Sequence, residues 1–187
     1  MSENALVALG SNARSRHGSP KETLEKAVIA LDAGPVRVLR KSRFFRTPFF
    51  PPGTEPDVIN AVVLVETALE PDALLARLHR IEAEFDRTRG TRWTSRTLDL
   101  DLVAMGARVL PDAATLRHWM TLPLSQQQRN APGTLVLPHP RLQERSFVLV
   151  PAEDVAADWR HPLIGKTIRD MCRELPDDAR AEVRPLT

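Results

Sequence analysis

Tyrosine is absent from this chain of 187 residues, cysteine occurs once, at Cys172, and aromatic residues make up only 5% of it. A single thiol forms no internal disulfide, and no metal-ligand spacing surrounds Cys172, so it reads as a buried, inert thiol in a reducing compartment. Neither sign of charge is in large excess. With 26 Lys+Arg against 24 Asp+Glu the net charge is +2, which makes no polycationic surface and does not imply a nucleic-acid partner. Uninterrupted apolar stretches reach only about five residues, too short for a membrane span. The opening, MSENALVALGSN, lacks a cationic segment followed by a long apolar run, so a cytoplasmic protein without a membrane partner is expected. The common nucleotide and hydrolase signatures are missing too: there is no G-x-G-x-x-G, no H-E-x-x-H and no nucleophile elbow. Gly165-Lys166-Thr167 looks like the end of a phosphate-binding loop, but Arg160 stands where the first glycine is needed, and a turn before the last helix is the better reading.

What is present suffices for one domain over 1–187, with 42% apolar and 27% charged residues. Ala5 to Leu9 reads as a buried strand closed by Gly10-Ser11-Asn12. Ser19-Pro20-Lys21-Glu22 is a capping box with proline in the first helical position, and Leu24, Ala27, Val28 and Leu31 follow at helical spacing until Gly34. Val36 to Phe45 and Val58 to Thr67 are rich in β-branched residues and predict two strands. The prolines and Gly53 between Arg46 and Asp57 predict a surface loop of the kind that binds ligands. Pro71 opens a helix lined by Leu74, Leu78, Ile81 and Phe85 that should run to Gly90, and Thr97 to Met105 is the next strand. Strand, helix, strand, strand, helix, strand is the order of an α+β, ferredoxin-like βαββαβ core, with helices packed on a mainly antiparallel sheet. Phe147 to Val155 and Ile168 to Leu175 would be extra C-terminal helices. Ala107 to Leu137 fits neither period and reads as an irregular excursion, with the insertion proper at about 111–136. Its Leu116, Trp119, Met120 and Leu122 are costly to leave in water, so a docked centre around Trp119 is expected, with mobile arms near Asp112 and Gln127.

In Leu98-Asp99-Leu100-Asp101-Leu102 the strand period sends the leucines to one face and both aspartates to the other. Two carboxylates projecting side by side repel each other unless a cation lies between them, and oxygen-only ligands favour Mg²⁺. A solvated strand face is the plainer alternative. Arg87, Arg89, Arg92 and Arg96 crowd the residues before Asp99, and arginine matches phosphate oxygens in bidentate fashion. Here too an ordinary charged helix end, paired with Glu82, Glu84 and Asp86, is an alternative. Pro138-His139-Pro140-Arg141, followed by Arg145 and Phe147, adds an imidazole, guanidiniums and a flat ring, or makes a structural turn.

Taken together these motifs resemble the hydroxymethyl-dihydropterin pyrophosphokinases. The resemblance rests on Arg92-Trp93-Thr94-Ser95-Arg96-Thr97-Leu98-Asp99-Leu100-Asp101-Leu102, with Gly10-Ser11-Asn12, Phe45-Arg46-Thr47-Pro48, Asn60 and Pro138-His139-Pro140-Arg141 in the family's order. It spans nearly the whole chain outside the stretch from about Pro111 to Val136. It implies diphosphate transfer from ATP to 6-hydroxymethyl-7,8-dihydropterin, giving AMP and the pterin diphosphate in folate biosynthesis, with no obligate protein partner. It also implies two Mg²⁺ ions on Asp99 and Asp101, and Arg87, Arg89, Arg96, Arg145 and His139 along the triphosphate. His79, Glu82 and Leu102 would approach the nucleoside, Thr47, Pro48 and Asn60 the pterin edge, and Phe147 its ring, while Trp93 belongs to a loop that closes over the substrates. The chain departs from the family pattern at Thr94-Ser95, where a small residue and then proline are usual, and at Val58, where some members place a tyrosine. Two rival functions share the pattern: an RNA-binding ferredoxin-like module, and another Mg-dependent nucleotidyl or phosphoryl transferase.

Overall fold

The run Ala61-Val62-Val63-Leu64-Val65 has no polar face to offer water, so a strand made from it must be covered on both sides. In the computed structural model, which describes residues 1–49, 53–85, 96–123, 126 and 131–186, that strand is the centre of the molecule. β4 (Val58–Thr67) is hydrogen-bonded to β1 (Glu3–Ser11) on one side and to β2 (Val36–Lys41) and β3 (Phe45–Thr47) on the other. β5 (Asp99–Met105) pairs with the far side of β1, and every pairing is antiparallel. The order β5-β1-β4-β3, with β2 also on β4, is the ferredoxin-like arrangement in which β2 and β3 together fill one strand position.

The expected single strand from Val36 to Phe45 is therefore broken in two. Ser42 causes the break. Its hydroxyl accepts the Val62 N–H at 2.9 Å, in place of a main-chain carbonyl, while its own N–H donates to the Val62 carbonyl at 2.9 Å. Arg43 then turns out of the sheet to a bidentate pair with Asp154, at 2.9 and 2.8 Å. A short C-terminal strand that the sequence pattern had not suggested, β6 (Arg184–Pro185), pairs with β3.

Two helices pack on one face of the sheet. α1 (Pro20–Leu31) has the expected capping box on Ser19 and Glu22 and buries Leu24, Ala27 and Leu31. α2 (Pro71–Glu84) buries Leu74, Leu78 and Ile81 and ends at Glu84 with Phe85 as its C-cap, short of the expected end at Gly90; residues 86–90 lie outside the described residues. Between sheet and helices lie Val7, Leu9, Ala61, Val63, Leu98 and Leu100, all but sealed from solvent. Burying each of these valine and leucine side chains contributes roughly 1.5–3 kcal/mol.

α4 (Ser146–Ala156) and α5 (Ile168–Glu174) cover the other face, where Leu6, Val62 and Val103 meet Leu149, Ala152, Ile168 and Met171. Cys172 is buried in this layer, and burial pushes its thiol up to about 11. Thr167 caps α5, so the Gly165-Lys166-Thr167 run is a turn and a helix start.

The excursion after β5 is less irregular than its prolines suggested. It holds α3 (Ala113–Thr121), started by the Asp112 carboxylate accepting the Thr115 N–H at 2.8 Å, so the expected arm at Asp112 is a helix cap instead. Leu116 is fully buried and Trp119 partly so, as the docked centre required. Gln127 lies outside the described residues. A short helix, α6 (Asp177–Ala181), precedes β6. Among the described residues no helix is long and apolar enough to cross a membrane.

Candidate active site

The cover provided by α4 begins only at Ser146, which leaves the adjoining ends of β1, β4 and β5 open on the second face. Strand register brings Asp99, Gly10 and Asn60 side by side there, with Asp101 opposite Ala8. Gly10 supplies no side chain to fill the row. A Cβ at that position would stand 3.6 Å from Asn60 Oδ1 and 4.0 Å from Asp99 Cβ, within the space a ligand would use. The result is an open cleft of about 1250 Å³.

Asp99 and Asp101 line this cleft while Leu98, Leu100 and Leu102 are at most 4% exposed, as the alternating pattern required. Each carboxylate has a cation against it. Arg96 Nη1 is 2.7 Å from Asp99 Oδ2, and Arg145 Nη1 is 3.6 Å from Asp101 Oδ2. Burial lowers the basicity of the Arg145 guanidinium, Asp101 acting in the opposite direction, and both arginines also line the cleft.

His139 enters from the loop before α4. Its main-chain N–H donates to the Val103 carbonyl at 2.7 Å, and its Nδ1 accepts the Arg141 N–H at 3.1 Å. That contact leaves the proton on Nε2. Burial, then Arg145 and Arg141, push the imidazole down to about 3, so it is neutral at ordinary pH.

Across the cleft, Asn60 Nδ2 donates to Thr47 Oγ1 at 2.8 Å and both residues are buried, which leaves the Asn60 amide oxygen toward Gly10. Pro48 and Val58 line the same region. Phe147, in the first turn of α4, is 39% exposed, with the Arg145 guanidinium 5.6 Å from its ring centre. A half-exposed phenyl ring on a cleft wall is suited to stacking against a flat ligand.

His79 and Leu102 also line the cleft. Glu82 is placed differently. It is 3% exposed, and its Oε1 accepts the Leu100 N–H at 2.7 Å, so it braces the strand between the two aspartates from the helix side. Arg87, Arg89 and Trp93 lie outside the described residues.

One positioning residue escaped the sequence reading except as part of a motif. Asn12 Oδ1 accepts the Arg96 N–H at 2.7 Å, its own N–H donates to the Arg96 carbonyl at 3.1 Å, and its Nδ2 donates to the Pro56 carbonyl at 3.3 Å. It ties the start of the aspartate strand and the end of the proline-rich loop to the end of β1. A buried amide just beyond a strand was the signal available in the sequence.

Among the described residues no group of three or more His, Cys, Asp or Glu could hold a metal. Two carboxylates alone still fit Mg²⁺, which is commonly held by one or two carboxylates together with substrate phosphates and water. The donor set is all oxygen and adjoins two arginines that suit a polyphosphate.

Comparison with known proteins agrees with this geometry. A sequence model described as 7,8-dihydro-6-hydroxymethylpterin-pyrophosphokinase (HPPK) matches residues 6–157. The chain is 37% identical over 183 residues to a 2-amino-4-hydroxy-6-hydroxymethyldihydropteridine pyrophosphokinase of Synechocystis, covering 97% of this chain and 80% of that protein. The enzyme of the same name from Haemophilus influenzae is 31% identical over 182 residues, covering 97% and 98% respectively. Among solved structures, wild-type HPPK-DHPS of Plasmodium falciparum superposes with a TM-score of 0.63 at 12% identity, a likeness of fold. That match covers 93% of this chain and 45% of the longer Plasmodium chain, so this chain spans less than half of it. By family match, identity and fold together, the chain belongs to the 7,8-dihydro-6-hydroxymethylpterin-pyrophosphokinase family.

Proposed function

We infer that this chain transfers the diphosphate of ATP to the hydroxymethyl oxygen of 6-hydroxymethyl-7,8-dihydropterin, giving AMP and the pterin diphosphate in folate biosynthesis. The observation that carries the reading is the pair Asp99 and Asp101, open to one cleft with Arg96 and Arg145 against them.

Asp99 and Asp101 would hold Mg²⁺, two ions in our reading, which when bound offsets the charge of the phosphates and of the developing transition state. Arg96, Arg145 and the Nε2–H of His139 then line the triphosphate, adding fixed donors where negative charge spreads during transfer. Arg87 and Arg89 belong to the same set by family resemblance. Thr47, Pro48 and Asn60 meet the hydrogen-bonding edge of the pterin, whose amino and amide N–H groups need acceptors such as the Asn60 amide oxygen. Phe147 stacks on its ring, and Trp93 belongs to the segment that closes over both substrates. His79 and Leu102 approach the nucleoside.

Holding the pterin alcohol in line with the β-phosphorus is the main contribution of such a site, since well-aligned reactants can lower a barrier by about 7–11 kcal/mol. The proton leaves a primary alcohol as AMP departs, and no strong base is called for. A cytoplasmic location suits the lone buried thiol of Cys172.

The RNA-binding alternative is disfavoured by α4 and α5, which occupy much of the sheet face that a stacking platform needs, and by the two carboxylates on the rest. Incubation with Mg-ATP and the pterin alcohol, followed by identification of both products, tests the inference. Pterin-dependent AMP is expected; ADP, or turnover indifferent to pterin, would point to another transferase.

A further inference from the structure

We propose that Trp119, on helix α3 of the excursion between β5 and His139, forms a stacking wall for the nucleobase of the nucleotide substrate. The proposal rests on the reading of the cleft as an ATP site and adds to it a residue from a segment with no assigned role.

The excursion positions α3 through contacts at its two ends and at the helix cap. Its two ends are stitched together at Leu110 and Leu137, whose main-chain groups exchange hydrogen bonds of 2.9 and 3.1 Å. Asp112 caps α3, and Leu116 anchors it in the core with no exposed surface. Trp119 follows Leu116 by three residues and so shares its side of the helix. It is only partly buried and lines the same cleft as Asp99 and Asp101.

The chemistry of the cleft leaves one kind of ligand group for this wall. Arg96, Arg145 and His139 suit the phosphates, while Thr47, Asn60 and Phe147 suit the pterin. The cleft that Trp119 lines is also formed by Leu75 and His79 of α2, Leu102 of β5, and Leu110 and Leu135 at the ends of the excursion. These five residues are mostly apolar, and Trp119 adds a large flat ring beside them in the lining. A purine is the remaining flat, largely apolar part of the two substrates. Stacking of a base on an aromatic side chain is worth about 1–3 kcal/mol, or roughly 5- to 150-fold in affinity.

The test compares two probes on two variants of the whole chain. The probes are α,β-methylene-ATP and tripolyphosphate, both with Mg²⁺; the second has the phosphates and no base. Trp119→Met fills a similar volume without a flat ring, and Trp119→Phe keeps a ring. The Met variant should bind the ATP analogue about 5- to 150-fold more weakly, with tripolyphosphate affinity and pterin KM unchanged, and the Phe variant should recover most of the loss. Unchanged analogue affinity in the Met variant, or an equal loss for both probes, would overturn the proposal. Absence of pterin-dependent AMP formation in the unmutated chain is a separate result. It would remove the diphosphate-transfer reading while leaving base-dependent binding to be judged on its own.

Discussion

Asp99 and Asp101 are exposed enough to meet ligand, and their loss removes no packing, because the leucines on either side carry the burial of β5. Their ion pairs with Arg96 and Arg145 are partly solvated, and pairs of that kind stabilise a fold by about 1 kcal/mol at most. Asp99→Ala and Asp101→Ala should therefore each lower kcat by roughly 100-fold or more, corresponding to about 3 kcal/mol in the barrier, with little change in thermal unfolding. Steady-state kinetics at saturating Mg²⁺ beside a melting curve checks this; near-normal turnover in either variant contradicts the metal role. Phe147 has its own measurable consequence. Phe147→Ala should weaken pterin binding by about 1–3 kcal/mol and ATP binding much less, read by calorimetry with an ATP analogue present. Val58 lines the cleft directly opposite Thr47 on the neighbouring strand, so Val58→Tyr offers the ring a second face and should tighten pterin binding. Unchanged pterin affinity in the Phe147 variant would place the ring elsewhere.

Elements were legible in the sequence wherever local chemistry and tertiary packing agreed. The capping box before α1, the valine run of β4 and the Leu-Asp alternation of β5 each have a single low-energy placement, and the structure uses it. The strand from Val36 failed because its break is a long-range event: the Ser42 hydroxyl meets an N–H from Val62, twenty residues away. α3 was hidden for a local reason. Pro111, Pro123 and the Ala131-Pro132-Gly133 run outweighed a short capped helix, although Asp112 with Leu116 and Trp119 carried the signal. Glu82 shows the same limit in the site, since only the fold reveals that its carboxylate serves the Leu100 N–H.

The turn between α4 and α5 holds a buried histidine whose titration bears on stability. His161 is fully buried, its Nδ1 accepts the N–H groups of Leu163 and Ile164 at 3.2 and 3.4 Å, and burial pushes the imidazole down to about 4. A histidine whose pKa falls on folding is protonated more readily in the unfolded chain. Its contribution to stability is therefore complete above about pH 6.5 and is lost as pH falls toward 4. His161→Asn should make the decline in unfolding free energy between pH 7 and 4.5 shallower by about 2 kcal/mol, measured by urea titration. Parallel declines in the two proteins would exclude His161 as the source.

On the scale of the whole molecule, one sheet serves two purposes. Helices cover its first face and part of the second, and the uncovered part of the second is the cleft. Strand register is what assembles the site, because Asp99, Gly10, Asn60 and Phe45 lie in one row across four strands and a slip of one residue would turn both aspartates into the core. The site was legible in part: the strand alternation singled out both aspartates and the family resemblance named Asn60 and Thr47, but neither showed that Asn12 joins the segments around them. The most direct test follows the phosphorus. With Mg²⁺ and 6-hydroxymethyl-7,8-dihydropterin, ATP labelled at the γ-phosphate should pass its label to the pterin product, and ATP labelled at the α-phosphate should leave its label in AMP. Label from the α-phosphate in the pterin product, or γ-label released as free phosphate with ADP, would contradict diphosphate transfer at this site.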